Sequence, residues 1–279
     1  MISPTRLVDQ INERLTRVSE TPALDAQVLL AHILSRSRSW VLAHPEVDLS
    51  PEQSFELEAR LVRLETGEPL PYVLRHQEFF GLDFSVNPQV LIPRPETELL
   101  VEQALVWLHA NTPYRLALDV GTGSGCIALA LAANIPDLHL LASDISAGAL
   151  EQARANMRHY ALQARVEFIQ ADLIPALGER VNLICANLPY IPSQDLDELK
   201  VARWEPRLAL DGGPKGLSLI RQFLAQAPAS LSPDGLLLME IEASQGLAVT
   251  DLARRSFPGA EIVLLQDLAG KDRVVRIKN

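Results

Sequence analysis

The segment DVGTGSG, residues 119–125, stands between an apolar run that predicts a strand (116–120) and one that predicts a helix (126–133). Glycine lets the backbone turn sharply and approach a ligand closely, and the start of a helix offers unpaired N–H groups. A glycine-rich turn of this kind serves NAD, FAD or S-adenosylmethionine in proteins, or is a tight turn without a ligand. The segment therefore predicts a strand–loop–helix unit that is a candidate cofactor site.

The spacing of the glycines favours one of these cofactors. Gly121, Gly123 and Gly125 form the pattern G-x-G-x-G, whereas dinucleotide-binding proteins use G-x-G-x-x-G, and position 126 is Cys. Asp144 ends the next predicted strand, about 20 residues further on, where an acidic side chain can bind both hydroxyls of a ribose. Together these features favour S-adenosylmethionine.

Helix-like and strand-like segments alternate from residue 98 to the end of the chain. The predicted helices are 98–110, 126–133, 148–160 and 218–227, the last ended by Pro228, and the strands are 116–120, 139–143, 166–169, 181–186, 236–241 and two terminal strands joined at Gly270–Lys271. Such alternation is typical of a parallel sheet with helices on both faces. We expect an α/β fold with a seven-stranded, mostly parallel Rossmann-like sheet that ends in an antiparallel hairpin.

The N-terminal part has a different pattern. From Ser3 to about Leu74 the apolar residues recur at helical spacing, as in the set Leu24, Val28, Leu29, His32 and Ile33. A helix should begin at Pro51, with Ser50 as its cap, and bury Phe55, Leu57, Leu61 and Leu64. We therefore expect a small all-helical domain over residues 1–75.

A short hairpin is predicted to join this domain to the sheet. In residues 76–98, apolar and polar residues alternate through Phe80, Leu82, Phe84 and Val86 before prolines interrupt the pattern. The interpretation is a β-hairpin linker, followed by the α/β domain over 99–279. Its charged residues Arg94, Glu96 and Glu98 suit linker ion pairing and helix initiation, with contact to a cofactor or partner as the alternative.

Composition excludes several classes of protein. The net charge of −10 and the pI of about 5.1 argue against broad phosphate contacts with nucleic acid. Long uncharged apolar stretches and a signal peptide are not found, so we expect a cytoplasmic protein that binds no membrane. Cys126 and Cys185 are expected as buried apolar residues, and the six scattered histidines predict no metal site. We expect a monomer.

Polar residues stand at the ends of several predicted strands. Asp119, Gly121, Asp144, Asp172 and Asn187 all fall at carboxyl ends of strands, where ligands bind in open α/β sheets. The sequence therefore predicts that these residues surround one pocket.

The segment Asn187-Leu188-Pro189-Tyr190 suggests the reaction. A carboxamide nitrogen is a poor nucleophile because its lone pair is delocalised, the same effect that gives a peptide bond a rotation barrier of about 18–20 kcal/mol. The Asn187 side-chain carbonyl and a backbone carbonyl of the turn can accept both N–H bonds of a target NH₂ group, and Tyr190 can pack on its flat face. This arrangement favours methyl transfer to a planar nitrogen.

The chain resembles the HemK/PrmC-type methyltransferases, which modify the glutamine of the Gly-Gly-Gln motif in class I peptide-chain release factors. The resemblance covers nearly the whole chain and lies in GEPLPYV (67–73), FFGLDFSVNPQVLIPRPETE (79–98), DVGTGSGCIALALA (119–132), NLPYI (187–191), EPRLALDGG (205–213) and DLAGKDRVV (267–275). It implies an S-adenosylmethionine-dependent protein-glutamine N-methyltransferase whose partners are release factors.

The resemblance also implies roles for individual residues. Asp119 and the loop Gly121, Thr122, Gly123, Ser124 and Gly125 would bind the methionine part of the cofactor, Asp144 the ribose, and Asp172 and Leu173 the adenine. Asn187, Leu188, Pro189 and Tyr190 would form the glutamine pocket, with Asn187, Pro189 and Tyr190 as catalytic residues. The helical domain and the linker would dock the release factor.

Four positions depart from the family pattern. Leu188 replaces the first proline of the usual Asn-Pro-Pro-Tyr, which keeps the backbone carbonyl but frees one φ angle. Lys215 stands where Asp is usual, Glu242 where Gly is usual, and Leu173 where an aromatic residue is frequent. These departures bear on the substrate and on adenine stacking, and they leave the methyltransferase interpretation intact.

Three alternatives remain open. A methyltransferase acting on the amino group of adenine or guanine would use the same pocket but needs a flipped base and phosphate contacts. A NAD-dependent dehydrogenase is disfavoured by the missing third glycine of its motif. A non-catalytic cofactor-binding module would bind the cofactor without transferring a methyl group.

Overall fold

The computed structural model describes residues 4–44, 48–111 and 116–279, and the predicted start of the helical region, Ser3, lies outside them. The chain divides into two compact units, residues 1–76 and 77–279. The first unit has one apolar core and the second has two, and each unit is described by itself.

The first unit is helical. Its helices are α1 (Pro4–Leu15), α2 (Pro22–Leu34), α3 (Arg38–Ala43), α4 (Pro51–Glu65) and α5 (Leu70–Leu74). Helix α4 begins as the sequence predicts: the Ser50 hydroxyl accepts the Gln53 N–H, and the Gln53 side chain accepts the Ser50 N–H. This reciprocal cap satisfies two backbone donors that a helix start otherwise leaves unpaired.

The prediction that Phe55 of α4 is buried is wrong. Leu57, Leu61 and Leu64 are buried, but Phe55 is 79% exposed. Residues 57, 61 and 64 are separated by four and three positions and share a face, whereas residue 55 lies two positions from 57, about 200° around a helix of 3.6 residues per turn. Phe55 therefore points away from the core of its unit.

The second unit contains the hairpin and the main sheet. Strands β1 (His76–Phe79) and β2 (Leu82–Ser85) pair with each other. The hairpin is held against the following domain because the Asn156 side chain accepts the Ser85 N–H at 2.9 Å and donates to the Ser85 carbonyl at 3.0 Å.

The main sheet has seven strands in the order β5-β4-β3-β6-β7-β9-β8. Its strands are β3 (Leu116–Val120), β4 (His139–Asp144), β5 (Val166–Gln170), β6 (Val181–Ala186), β7 (Leu231–Glu240), β8 (Glu261–Gln266) and β9 (Asp272–Lys278). The first five strands in this order run parallel, and β9 pairs antiparallel with both β7 and β8. The predicted α/β class, with a parallel sheet and a terminal antiparallel hairpin, is confirmed.

Helices cover both faces of this sheet. They are α6 (Glu98–Ala110), α7 (Cys126–Asn134), α8 (Ala147–His159), α9 (Ser218–Ser230) and α10 (Gly246–Ser256). One apolar core contains residues of α6, α7 and α8 together with Phe79 and Phe84 of the hairpin, and a second contains residues of α9 and α10. Cys126 and Cys185 are buried, as expected.

Two predicted boundaries near residue 230 are wrong. Helix α9 continues through Pro228 to Ser230, and β7 begins at Leu231 instead of residue 236. Proline lacks the N–H that would donate to the carbonyl four residues earlier, so the helix loses one bond at Pro228 and ends two residues later. Strand β7 absorbs Asp234, whose φ is 62°, through a register shift against β6.

No helix within the described residues is long and apolar enough to cross a membrane.

The two faces of α4 lead to a stability prediction. Leu61→Ala should lower the free energy of unfolding of the helical unit by about 2–5 kcal/mol, because it leaves a cavity in a packed core. Phe55→Ala, on the exposed face of the same helix, should change it by less than about 0.5 kcal/mol. Urea denaturation followed by circular dichroism measures both, and an equal loss in the two variants would contradict the assignment of the faces.

Candidate active site

One pocket lies at the carboxyl edge of the sheet in the second unit. Strand β3 pairs in parallel with β4 and β6, so that Val120 lies beside Ser143 on one side and Ala186 on the other. The residues that follow these strand ends, Gly121, Asp144 and Asn187, all line the pocket. The predicted convergence of strand ends is thus present in the fold.

The glycine loop is fixed by backbone geometry. Gly121, Gly123 and Gly125 have φ angles of 73°, 55° and 83°, which residues with a side chain rarely adopt. A Cβ at position 121 would lie 3.1 Å from Leu188 Cδ2, whereas one at position 123 would meet no atom within 4 Å. Gly121 therefore permits close contact with the segment after β6, and Gly123 faces open space.

Strand β4 holds the loop in place. The N–H groups of Gly121 and Thr122 both donate to the Ser143 carbonyl at 2.9 Å. The Gly123 N–H donates to Asp144 Oδ2, and the Ser146 N–H donates to Asp144 Oδ1, each at 2.9 Å. Each carboxylate oxygen has a further lone pair, so Asp144 can still accept hydrogen bonds from a ligand.

Four of the predicted cofactor residues lie behind the pocket lining. Asp119, Thr122, Ser124 and Gly125 do not line it, and all four are buried. The Thr122 hydroxyl donates to Asp119 Oδ2 at 2.6 Å, and burial raises the pKa of Asp119 to about 7. These residues shape the loop from beneath.

Along the edge of the sheet, Asp144 lies between the glycine loop, which follows β3, and the pair Asp172 and Leu173, which follows β5. Both residues of the pair line the pocket beside Ile145 and Ala171. Leu173 is buried with a φ of 61°, and its carbonyl accepts the Ser143 hydroxyl at 2.8 Å. The wall here is mainly apolar, which suits a flat ring.

The segment after β6 contributes Asn187, Leu188 and Pro189 to the pocket. The Asn187 Nδ2 donates to the Thr97 hydroxyl at 3.1 Å, and among the described residues no hydrogen bond reaches Asn187 Oδ1 or the Leu188 carbonyl. The Leu188 side chain is 2% exposed and packs towards Gly121. Two carbonyl oxygens are thus left as acceptors beside the glycine loop.

Tyr190 does not line the pocket and is partly buried next to it. Burial, with the Glu240 charge as the second cause, raises the pKa of its hydroxyl to about 12. The Tyr190 carbonyl accepts a hydrogen bond from Gln245 Nε2 at 3.0 Å. The ring is therefore held in place by its backbone and remains protonated at neutral pH.

The segment 205–213 braces this turn. The Ile191 N–H donates to the Leu210 carbonyl at 3.1 Å, and the Ile191 carbonyl accepts the Gly212 N–H at 2.8 Å. Glu205 accepts the Ile92 N–H at 3.1 Å and forms an ion pair with Arg94. The pocket wall is therefore tied to the linker that precedes α6.

Comparison with known proteins is consistent with this geometry. The family model described as PrmC N-terminal domain matches residues 6–74, and that described as methyltransferase small domain matches residues 96–203. A release factor glutamine methyltransferase of Moorella thermoacetica is 45% identical over 91% of this chain and 90% of its own length. A release factor glutamine methyltransferase of Coxiella burnetii is 38% identical over 99% of this chain and 98% of its own length.

The chain belongs to the release factor glutamine methyltransferase family. It is therefore an enzyme of the methyltransferase class, as the sequence predicts. Among solved structures, the catalytic domain of hMettl16 superposes with a TM-score of 0.58 at 14% identity, covering 80% of this chain and 81% of that one. A likeness at this identity shows the fold alone.

For this member of the family, two of the three charged residues of PRPETE have structural partners. Arg94 pairs with Glu205, and Glu98, the first residue of α6, accepts the Phe80 N–H at 2.8 Å. The interpretation as ion pairing and helix initiation is confirmed for these two residues.

Sequence reasoning missed several residues at the site. Thr97, Glu205, Glu240 and Gln245 are buried polar residues around the 187–190 turn. The sequence marks Glu240 as unusual, because it is a single charged residue in the apolar run LLLMEI. It does not mark Thr97, because its partner Asn187 is 90 residues away in the chain.

The glycine loop yields a prediction. Gly121→Ala should lower the free energy of unfolding of the sheet unit by roughly 2–4 kcal/mol, because Ala is strained at positive φ and its Cβ would crowd Leu188. Gly178→Ala is the matched control, since a Cβ there meets no atom within 4 Å. Denaturation curves of both variants provide the measurement; a Gly121→Ala protein as stable as the control would rule out the close contact.

Proposed function

We propose that this protein transfers a methyl group from S-adenosylmethionine to the side-chain amide nitrogen, N5, of the glutamine in the Gly-Gly-Gln motif of class I release factors. The observation that carries the proposal is the Asn187 carboxamide, which lines the pocket beside the glycine loop, with its nitrogen bound to Thr97 and its oxygen without a hydrogen bond from the described residues. Likeness to release factor glutamine methyltransferases over nearly the whole chain supports the choice of substrate.

The donors and acceptors of the pocket suit S-adenosylmethionine. The open space beside Gly123, where a Cβ would meet no atom within 4 Å, leaves room for a ligand against the loop backbone. Asp144 would accept hydrogen bonds from ribose hydroxyls, and Leu173 with Ile145 would pack on the adenine. When bound, this cofactor supplies a methyl group on a positively charged sulfur.

The chain's own residues would orient the acceptor. Asn187 Oδ1 and the Leu188 carbonyl would accept the two N–H bonds of the glutamine amide and hold its nitrogen towards the glycine loop. These acceptors also favour a nitrogen that becomes pyramidal and partly positive as it is methylated. S-adenosylhomocysteine would be the leaving product, and the proton that the nitrogen loses would pass to solvent. Pro189 stiffens the turn through its fixed φ, and the Tyr190 ring, which lies beside the pocket, would pack on the flat amide once it is bound.

The helical unit would serve as the docking domain, over residues 1–75, and residues 76–98 as the linker to the methyltransferase domain, 99–279. Helix α4 exposes Phe55 and Val62, which are seven positions apart and share a face. An apolar face of this kind suits contact with a protein partner. The enzyme would act as a monomer in the cytoplasm, where release factors work, without a stable nucleic acid partner.

The reaction is tested by transfer of labelled methyl from S-adenosylmethionine to purified release factor, beside bulk RNA and DNA. The factor with its Gly-Gly-Gln glutamine changed to Ala is the substrate control. We expect label on the intact factor and none on the control. Label on nucleic acid with none on the factor would overturn the proposal in favour of a base-methylating enzyme, and cofactor binding without any transfer would favour a non-catalytic module.

Asn187→Ala should lower kcat at least about 100-fold, because one acceptor for the amide is lost at a site where positioning carries the rate. Asn134→Ala is the matched control, since its side chain bonds only the Ala130 carbonyl of its own helix. Steady-state kinetics with release factor measure both variants. Equal rates in the two would remove Asn187 from the reaction.

Asp144→Asn should weaken binding of S-adenosylmethionine about ten-fold to a hundred-fold, since hydrogen bonds to a charged acceptor contribute about 1.5–3 kcal/mol. Asp251→Asn is a control, because Asp251 is an exposed residue of α10 paired with Arg254. Isothermal titration calorimetry gives both dissociation constants, and unchanged affinity in Asp144→Asn would place the ribose elsewhere.

A further inference from the structure

A buried carboxylate lies behind the proposed glutamine pocket. Glu240, the last residue of β7, is 1% exposed, and its Oε2 has no hydrogen-bond partner within the described part of the chain. Strand register places Met239 beside Ala186, so Glu240 and Asn187 are the next residues along two neighbouring parallel strands. The proposed mechanism gives this carboxylate no role.

Thr97 connects the two residues. It is 2% exposed, and its hydroxyl oxygen accepts the Asn187 Nδ2–H at 3.1 Å. A hydroxyl that accepts one bond still has its own proton to donate. Glu240 is a near neighbour of the Thr97 hydroxyl, which lowers the pKa of the carboxylate, so the unpartnered carboxylate is the acceptor available to that proton. The donors then run in one direction, from Asn187 through Thr97 to Glu240.

We propose that Thr97 and Glu240 are positioning residues that fix the Asn187 carboxamide with its nitrogen inward and its oxygen towards the pocket. This inference rests on the proposed function, because the orientation matters only if Asn187 accepts a bond from the target amide. Neither residue touches the substrate; both act through Asn187.

The orientation of Asn187 decides between a productive and an unproductive pocket. The oxygen and nitrogen of a carboxamide have nearly the same size, so packing alone does not select one orientation. If Asn187 were turned over, its NH₂ group would face the NH₂ group of the substrate, donor against donor. While Thr97 donates to the Glu240 carboxylate, its oxygen repels Asn187 Oδ1 and opposes that turn.

The charge of Glu240 makes this lock depend on pH. Burial raises the Glu240 pKa to about 7. The pKa is lowered by hydrogen bonding from Thr97 and Tyr190 and by the Arg273 charge, and it is raised further by the Glu96 charge. These groups face Glu240 from the turn before α6, from β9 and from the segment after β6. Above this pKa the carboxylate accepts from Thr97. Below it, the protonated acid can donate to Thr97, which frees the Thr97 proton for Asn187 Oδ1 and permits the turned-over amide.

Kinetics with release factor form the first part of the test. Thr97→Val keeps the shape of the side chain but removes the hydroxyl. It should lower kcat roughly ten-fold, because it leaves the inward Asn187 N–H unbonded. The dissociation constant of S-adenosylmethionine should change less than about two-fold. Thr97→Ser, which keeps the hydroxyl, should restore kcat to within about three-fold. Wild-type kcat should rise with pH through about 7, and this limb should be absent in Glu240→Gln.

The second part needs no catalysis, so it separates failure of this inference from failure of the proposed function. In ¹⁵N-labelled full-length protein, the Asn187 side-chain NH₂ signal, assigned by its loss in Asn187→Ala, should shift with pH with a midpoint near 7. The shift should be absent in Glu240→Gln. The inference would be overturned if the kcat of Thr97→Val equalled that of the wild type. It would also be overturned if the Asn187 signal titrated equally in the wild type and in Glu240→Gln.

Discussion

The close approach of Gly121 to Leu188 is the constraint on which the site depends. The loop after β3 and the turn after β6 end neighbouring strands, and a side chain at 121 would push them apart. Positive φ angles at Gly121 and Gly123 then let the loop bond to the end of β4. The proposed methyl donor and acceptor sites thus adjoin because one position in the chain has no Cβ.

Buried polar groups support this contact from behind. Asp119 and Thr122 bond to each other beneath the loop, Glu205 joins the 205–213 segment to the linker through Ile92 and Arg94, and Thr97 holds Asn187. Burial of charged groups costs free energy unless they are hydrogen-bonded or paired, so such groups are not expected in a core that serves stability alone. They suit a pocket whose acceptors must be held in fixed positions while an amide nitrogen reacts.

The fold was largely predictable because its signals are local. Apolar periodicity located every strand of the main sheet, and the glycine spacing located the loop. Phe55 was misplaced because the helical face was drawn too widely, and the end of α9 because the helix continues for two residues past Pro228. At the site, residues at strand ends were predictable, since parallel strands bring them together. Thr97 was not, because its partner Asn187 is 90 residues away in the chain; the lone charge of Glu240 in an apolar run marked that residue but not the residues around it.

Identification of the bond formed on the release factor shows whether this pocket methylates a carboxamide nitrogen. Release factor labelled by the enzyme would be treated with mild base and then hydrolysed completely in acid. An N-methyl amide survives mild base and yields glutamate and labelled methylamine in acid, which is the result that the account predicts. Release of the label as methanol in mild base would show a carboxylate ester and would contradict it.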